Sequence, residues 1–339
     1  MSDNKKAQHW ADIEERGSYL GMRILMWLYR HAGRGLIAII LYPVVAYFFI
    51  TSKQARIESR RFLMRVKQTA NRRGLTSAIP DVVSAGWIYR HFFAFAESTF
   101  ARILAWVGHI PHREVIFEQR EQLLGYLARG QGVVLLGSHL GNLELCRGVM
   151  SHVYNQANTT KPKVKMNILV LTRHAAKITT LIKKLNPSVD LELIQVDSVG
   201  PETAIYLQQK IALGECVVVL ADRLSPLPNS RATSANFLGA PARFPQGPFV
   251  LAALLKCPVF FMGCVKREGR HHVYLDHYTD YLKLARKNRE QDLQKIVDAY
   301  AASLEQHCLE APLQWFNFYD FWEADGNTQA APATLKASN

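Results

Sequence analysis

Short apolar runs alternating with helix-length stretches constrain the fold of this chain more than any other feature. Gly132-Val133-Val134-Leu135-Leu136, Val164 to Leu171, Leu191 to Val196 and Cys216 to Ala221 each read as a strand. Aliphatic and β-branched runs of this length, bounded by turn residues, suit strands buried on both faces of a parallel sheet. Gln119 to Arg129 and Glu202 to Leu213 read as helices between them. From Val115 onward the pattern therefore predicts an α/β fold with a mostly parallel sheet flanked by helices. Ligands bind such sheets beyond the carboxyl ends of the strands, so the residues that follow each run become the candidates for chemistry.

After the first run comes Gly137-Ser138-His139-Leu140-Gly141-Asn142-Leu143-Glu144. On one continuous helix His139 and Glu144, five apart, would point to different faces, so they meet only if the chain turns between them. Gly141-Asn142 supplies a turn, and Asn142 suits a helix N-cap that places Glu144 in the first helical turn, where the macrodipole favours a carboxylate. A carboxylate there can hold one imidazole nitrogen and leave the other free as a base, with the attacking hydroxyl brought by the substrate. On spacing alone a hydrogen-bonded structural histidine and a solvated glutamate fit equally well. A nucleophile elbow does not fit, because it needs Ser between the glycines and that slot holds His139.

Two further stretches carry candidates. Val217-Val218-Val219-Leu220-Ala221 delivers Asp222-Arg223 to the same carboxyl edge, where the guanidinium can bind phosphate or phosphopantetheine or help hold an oxyanion and Asp222 can pin it. A structural salt bridge is the plainer alternative. Asn236-Phe237-Leu238-Gly239-Ala240-Pro241-Ala242-Arg243 reads as a Pro/Gly-rich loop, with Arg243 either meeting an anionic acceptor or solvated. His271, His272 and His277 lack the spacing and the companion ligands of a metal site.

A net charge of +13 over 339 residues favours an acidic partner, such as nucleic acid, an anionic membrane surface, or an acidic carrier. The aromatic residues cluster with apolar ones and do not interleave with a basic groove, which argues against nucleic acid. Five scattered cysteines, Cys146, Cys216, Cys257, Cys264 and Cys308, read as buried thiols of a reducing compartment. Residues 1 to 18 have no secretory signal character. Gly35 to Ile50 carries no charge over sixteen residues, just short of the ~17–25 that span a bilayer, and arginines and lysines flank both ends. It reads as a short or tilted span, a re-entrant helix or an interfacial helix, with a buried core helix as the alternative. Val82 to Val107 is aromatic-rich but charged, as in an amphipathic helix. The expected division is a helical membrane-anchoring region over 1–110, an α/β domain over 111–323 and a disordered tail over 324–339.

His139-Leu140-Gly141-Asn142-Leu143-Glu144 resembles the H-x4-D/E signature of the lysophospholipid acyltransferase superfamily, and its HLGNLE wording resembles the lipid A late acyltransferase branch. Asp222-Arg223, the Phe-x-Gly-x-Pro stretch with Gly239, and Pro312-Leu313-Gln314-Trp315 are similar to that branch's later blocks, in the same order. The chain departs from the branch at Asn317-Phe318-Tyr319-Asp320, where a Trp and basic residues are usual.

The resemblance implies a glycerol-3-phosphate acyltransferase-like fold, His139 as general base and Glu144 as its orienting acid. Asn142, Asp222, Arg223, Gly239 and Arg243 would line the substrate sites. It implies an O-acyltransferase on the cytoplasmic face of the inner membrane. The acyl chain would come from acyl carrier protein or acyl-CoA and pass to a lipid or glycolipid hydroxyl, with no metal or cofactor. The departing motif points away from lipid A, and the breadth of the family offers an amino-acid lipid or an aryl polyene glycolipid as acceptor instead. A non-catalytic binder of anionic lipid or nucleic acid is the alternative, but it gives the His–Glu spacing no purpose.

Overall fold

The computed structural model describes residues 37, 39–106, 115–142, 165–170, 191–195, 200–224 and 230–322. The apolar stretch before residue 37, Glu144 and its expected helix, Cys146, the basic helix around Lys177 and the tail beyond Glu323 lie outside these residues. Nine strands are described: β1 (Val115–Glu118), β2 (Val133–Gly137), β3 (Met166–Val170), β4 (Leu191–Gln195), β5 (Cys216–Leu220), β6 (Ala232–Phe237), β7 (Ala240–Pro245), β8 (Val259–Arg267) and β9 (Arg270–Thr279). The helices are α1 (39–51), α2 (Lys53–Arg72), α3 (Ala85–Trp106), α4 (Arg120–Ala128), α5 (Pro201–Ala212), α6 (Gly247–Leu255) and α7 (Arg289–Glu310).

Seven strands form one sheet in the order β1-β9-β8-β2-β5-β3-β4, parallel at every pairing except β8 with β9. The expected mostly parallel α/β architecture is what forms. β2 lies at its centre and every one of its residues is buried. Side chains alternate faces with a period of two. Val134 and Leu136 join one core with Val217, Val219 and Phe261, while Val133 and Leu135 join the other with Val218 and Phe260. Leu123 and Leu127 of α4 cover the second face. The first face is covered by α5, α6 and α7 and also by Phe62, Leu63 and Val66 of α2 and Phe92 of α3, so these helices share one core with the sheet.

His91 of α3 ties that layer to the chain's C-terminal segment. Its Nε2 donates to the Trp315 carbonyl at 3.1 Å, and its Nδ1, 2.8 Å from Ser59 Oγ, accepts from that hydroxyl. Burial lowers the pKa of His91 to about 4, so the ring is neutral in the folded protein. The four described cysteines, Cys216, Cys257, Cys264 and Cys308, are buried free thiols, as expected.

The Phe-x-Gly-x-Pro stretch differs from expectation. It is a two-stranded antiparallel hairpin, β6 with β7, and not an open loop. Leu238 (φ 49°) and Gly239 (φ 75°) form its turn, both left-handed as a type I′ turn requires. Asn-Gly is the usual pair there, and a leucine hides the signal. Its strain is offset because Leu238 is fully buried and its N–H donates to Glu305, which also pairs with Arg73. Pro241 and Pro245 are tolerated because this ribbon is all edge.

After β2 the chain turns and docks on β8. Gly141 (φ 66°) donates its N–H to the Gln314 carbonyl at 2.7 Å, and Asn142 donates to the Cys264 carbonyl at 2.8 Å. A Cβ on Gly141 would lie 1.7 Å from the Cys264 oxygen, so only glycine fits. Gly74, which ends α2 at φ 68°, has nothing within 4 Å of that position. Gly74→Ala should cost about 1–2 kcal/mol, the left-handed strain alone. Gly141→Ala should cost about 3 kcal/mol or more in chemical denaturation, because the turn must also leave β8. His91 predicts a pH effect: its folded pKa is depressed, so the unfolded chain binds the proton first and stability falls as pH drops from about 6.5 to about 4. The loss should total about 3 kcal/mol in denaturation curves and be absent in His91→Gln.

Candidate active site

β2 and β5 are neighbours and parallel, with Gly137 level with Leu220. Two residues further, both chains have left the sheet and His139 stands beside Asp222. The chain continues from β2 towards β3 and β4 on one side, and from β5 to β8 on the other. Each connection passes over the other strand, and His139 and Asp222 meet beyond the carboxyl ends of two adjacent parallel strands, the edge at which open α/β sheets bind ligands.

The Asp222 carboxylate is fully buried and engaged by three donors. His139 Nδ1 lies 2.8 Å from Oδ1, the His139 backbone N–H donates to Oδ2 at 2.8 Å, and the Trp315 indole N–H donates to Oδ2 at 3.2 Å. Burial by itself would raise the Asp222 pKa, but the charge and hydrogen bonds of His139, with the Arg223 guanidinium, outweigh it and hold the carboxyl below its ordinary value. An ionised carboxylate only accepts, so the neutral imidazole carries its proton on Nδ1 and presents an unprotonated Nε2. Burial and the Arg223 charge, with a smaller effect from Arg102 of α3, lower the His139 pKa despite the carboxylate beside it. The side chain is still 26% exposed, so a reactant can reach it.

Arg223 faces the C-terminal segment. Its Nε donates to Asn317 Oδ1 at 2.7 Å, one Nη donates to the Phe316 carbonyl at 2.9 Å, and its guanidinium lies over the Tyr319 ring. Phe316 returns a backbone N–H to the His139 carbonyl at 3.2 Å. Behind β2, the Tyr300 hydroxyl of α7 donates to the Gly137 carbonyl at 2.7 Å. The Asn142 side-chain amide donates to the Ser98 carbonyl of α3.

The structure thus brings together His139, Asp222 and Arg223, while Asn142 is docked through its backbone on β8 and through its side chain on α3. It places Gly239 at the hairpin tip, where an added Cβ would strike the Arg72 guanidinium. Arg243 is on the exposed face of β7, opposite the buried Ala242 and Phe244. Four backbone amides of the His139 turn already have partners. Those of His139, Leu140, Gly141 and Asn142 bond to Asp222, Ser138, Gln314 and Cys264 respectively. Sequence reading missed the roles of Trp315 and Asn317 in holding Asp222 and Arg223. The available signal was the Gln314-Trp315 wording, which says nothing of which residue its indole would meet.

This geometry predicts that carbethoxylation of His139 by diethyl pyrocarbonate, which attacks the neutral ring, has a pH midpoint below the ordinary histidine value. Asp222→Asn, which removes the charge favouring the imidazolium, should move the midpoint lower still. Peptide mass spectrometry across pH reads both.

No curated protein matches this chain. The model of one family, the bacterial lipid A biosynthesis acyltransferases, matches residues 20–323. That span contains the sheet, the His139–Asp222 pair and the C-terminal segment that buttresses it, and the chain belongs to the bacterial lipid A biosynthesis acyltransferase family and is an acyltransferase.

Proposed function

We propose that this acyltransferase moves a fatty acyl chain from a thioester, carried by acyl carrier protein or CoA, to a hydroxyl of a lipid or glycolipid acceptor, with His139 as general base. The observation that carries the reading is the 2.8 Å contact between His139 Nδ1 and Asp222 Oδ1 at the sheet's carboxyl edge, which leaves Nε2 as the base. Nε2 takes the acceptor's hydroxyl proton as the oxygen bonds to the thioester carbonyl carbon. The tetrahedral intermediate then expels the thiolate, which takes that proton back from the imidazolium, giving ester and thiol.

Arg223 and Arg102, whose charges both act on His139, stabilise the developing oxyanion in place of the occupied turn amides. In this reading Asp222 orients the imidazole. Glu144 lies outside the described residues, and its spacing from His139 makes it the competing candidate for that role. Gly239 shapes the hairpin, and Arg243 remains a candidate contact for an anionic group of the acceptor.

The membrane face in this proposal is α1 with the start of α2. Ile39, Tyr42, Val44, Tyr47, Phe48 and Ile50 are exposed there, followed by Lys53, Arg56 and Arg60. Among the described residues no helix is long and apolar enough to cross a membrane. An apolar, aromatic helix face beside a basic one suits a helix lying in the interface of an anionic bilayer, which fits a cytoplasmic-leaflet acceptor and the +13 charge. The same charge suits an acidic carrier protein.

His139→Ala should abolish transfer in membranes supplied with lauroyl-acyl carrier protein while the protein stays folded, and wild-type rates would sink the mechanism. Asp222→Asn should lower kcat by about 10³-fold or more through the wrong imidazole tautomer. Glu144→Gln should cost much less, and the opposite order would give Glu144 the orienting role. Because the neutral ring is the base and its pKa is lowered, kcat/KM should fall only below about pH 6.5. Lipid mass spectrometry of cells with and without the protein identifies acceptor and chain together.

A further inference from the structure

Trp315 does not touch the reacting atoms of the proposed transfer, yet its indole N–H donates to Asp222 Oδ2, the oxygen that does not contact the His139 ring. It is fully buried among Phe62, Phe237 and Phe321, with ring centroids 5.1, 5.1 and 4.7 Å away. Three aromatic rings fix the indole plane and hence the direction of the N–H. The backbone is fixed as well, since Trp315 bridges to Leu140 and its carbonyl accepts from His91 Nε2 at 3.1 Å. His91 is in turn held through Nδ1 by Ser59 Oγ at 2.8 Å. A continuous line of buried polar contacts therefore runs from α2 through α3 and the C-terminal segment to the carboxylate at the end of β5.

We propose that Trp315 is a positioning residue that locks the Asp222 carboxylate so that Oδ1 faces His139 Nδ1, and that His91, held by Ser59, anchors Trp315 in turn. The kinetic part of this inference rests on the acyl-transfer reading; the positioning of His139 does not. The other donor to Oδ2, the His139 backbone N–H at 2.8 Å, belongs to the same residue as the ring, so the indole N–H is the donor that fixes the carboxylate from outside the His139 turn. Without that donor the carboxylate can turn away from His139 Nδ1, and the contact that favours the imidazolium weakens.

Trp315→Phe keeps an aromatic ring in the cage and deletes only the donor. In the full chain it should lower the carbethoxylation midpoint of His139 by about half a pH unit. With lauroyl-acyl carrier protein as donor, it should lower kcat by about 10–100-fold with KM nearly unchanged. His91→Leu should move the midpoint the same way by less. His91→Gln, whose amide can still donate to the Trp315 carbonyl, should restore it. Carbethoxylation needs neither acyl donor nor acceptor, so a wild-type protein that fails to transfer defeats the acyl-transfer reading, while the midpoint still tests the positioning. A midpoint that does not fall in Trp315→Phe, with or without a loss of thermal stability, overturns the proposal.

Discussion

The buried Asp222 carboxylate is the interaction on which the site depends. An ionised carboxyl with no exposure is tolerated only when its oxygens are hydrogen-bonded. Here the donors come from the end of β2 through the His139 ring and backbone, and from the C-terminal segment through Trp315. Removing either set would leave a charge uncompensated in the core, which costs far more than a surface pair contributes. The carboxylate thereby sets the chemistry of the imidazole and also requires two distant parts of the chain to meet at one point.

That requirement explains why a segment after the last helix belongs to the site. Gln314 accepts from Gly141 through its carbonyl, and its side-chain amide exchanges two bonds with the backbone of Lys266 on β8. Phe316 bonds to His139 and to Arg223, and Asn317 holds the same guanidinium. The segment therefore clamps the turn after β2, the end of β5 and β8 together. About 175 positions separate it from His139, and docking it so far along the chain carries a closure cost that the burial of Trp315, Phe321 and Trp322 offsets.

The sheet was legible because its strands are short, apolar and bounded by turn residues, and the edges of β2, β3, β4 and β5 fell within a residue or two of expectation. The partner of His139 was not legible. Glu144 is near in sequence, whereas Asp222 comes level with His139 only because β5 inserts beside β2, and strand order is a property of the whole sheet. Asp222-Arg223 could be placed at the right edge, but a pattern of apolar runs does not say which strand ends adjoin. The hairpin was hidden for a different reason: Leu238 takes a left-handed conformation that local propensity disfavours, and buried tertiary contacts hold it there. Helices α2 and α3 read as a membrane-facing preamble because their basic and aromatic residues are conspicuous. Yet Phe62, Leu63, Val66 and Phe92 face the sheet's core, and a helix can present both faces.

The departure at Asn317 acquires a physical meaning at Arg223. The neutral Asn317 amide accepts from Arg223 Nε at 2.7 Å through its oxygen and fixes the plane of the guanidinium. Asn317 therefore acts through Arg223, one residue from the carboxylate that holds His139. A residue remote in sequence from the His139 turn sets the orientation of the cation beside it. Whatever acceptor this enzyme uses must fit an Arg223 held by Asn317 and the Phe316 carbonyl, and that constraint comes from the end of the chain.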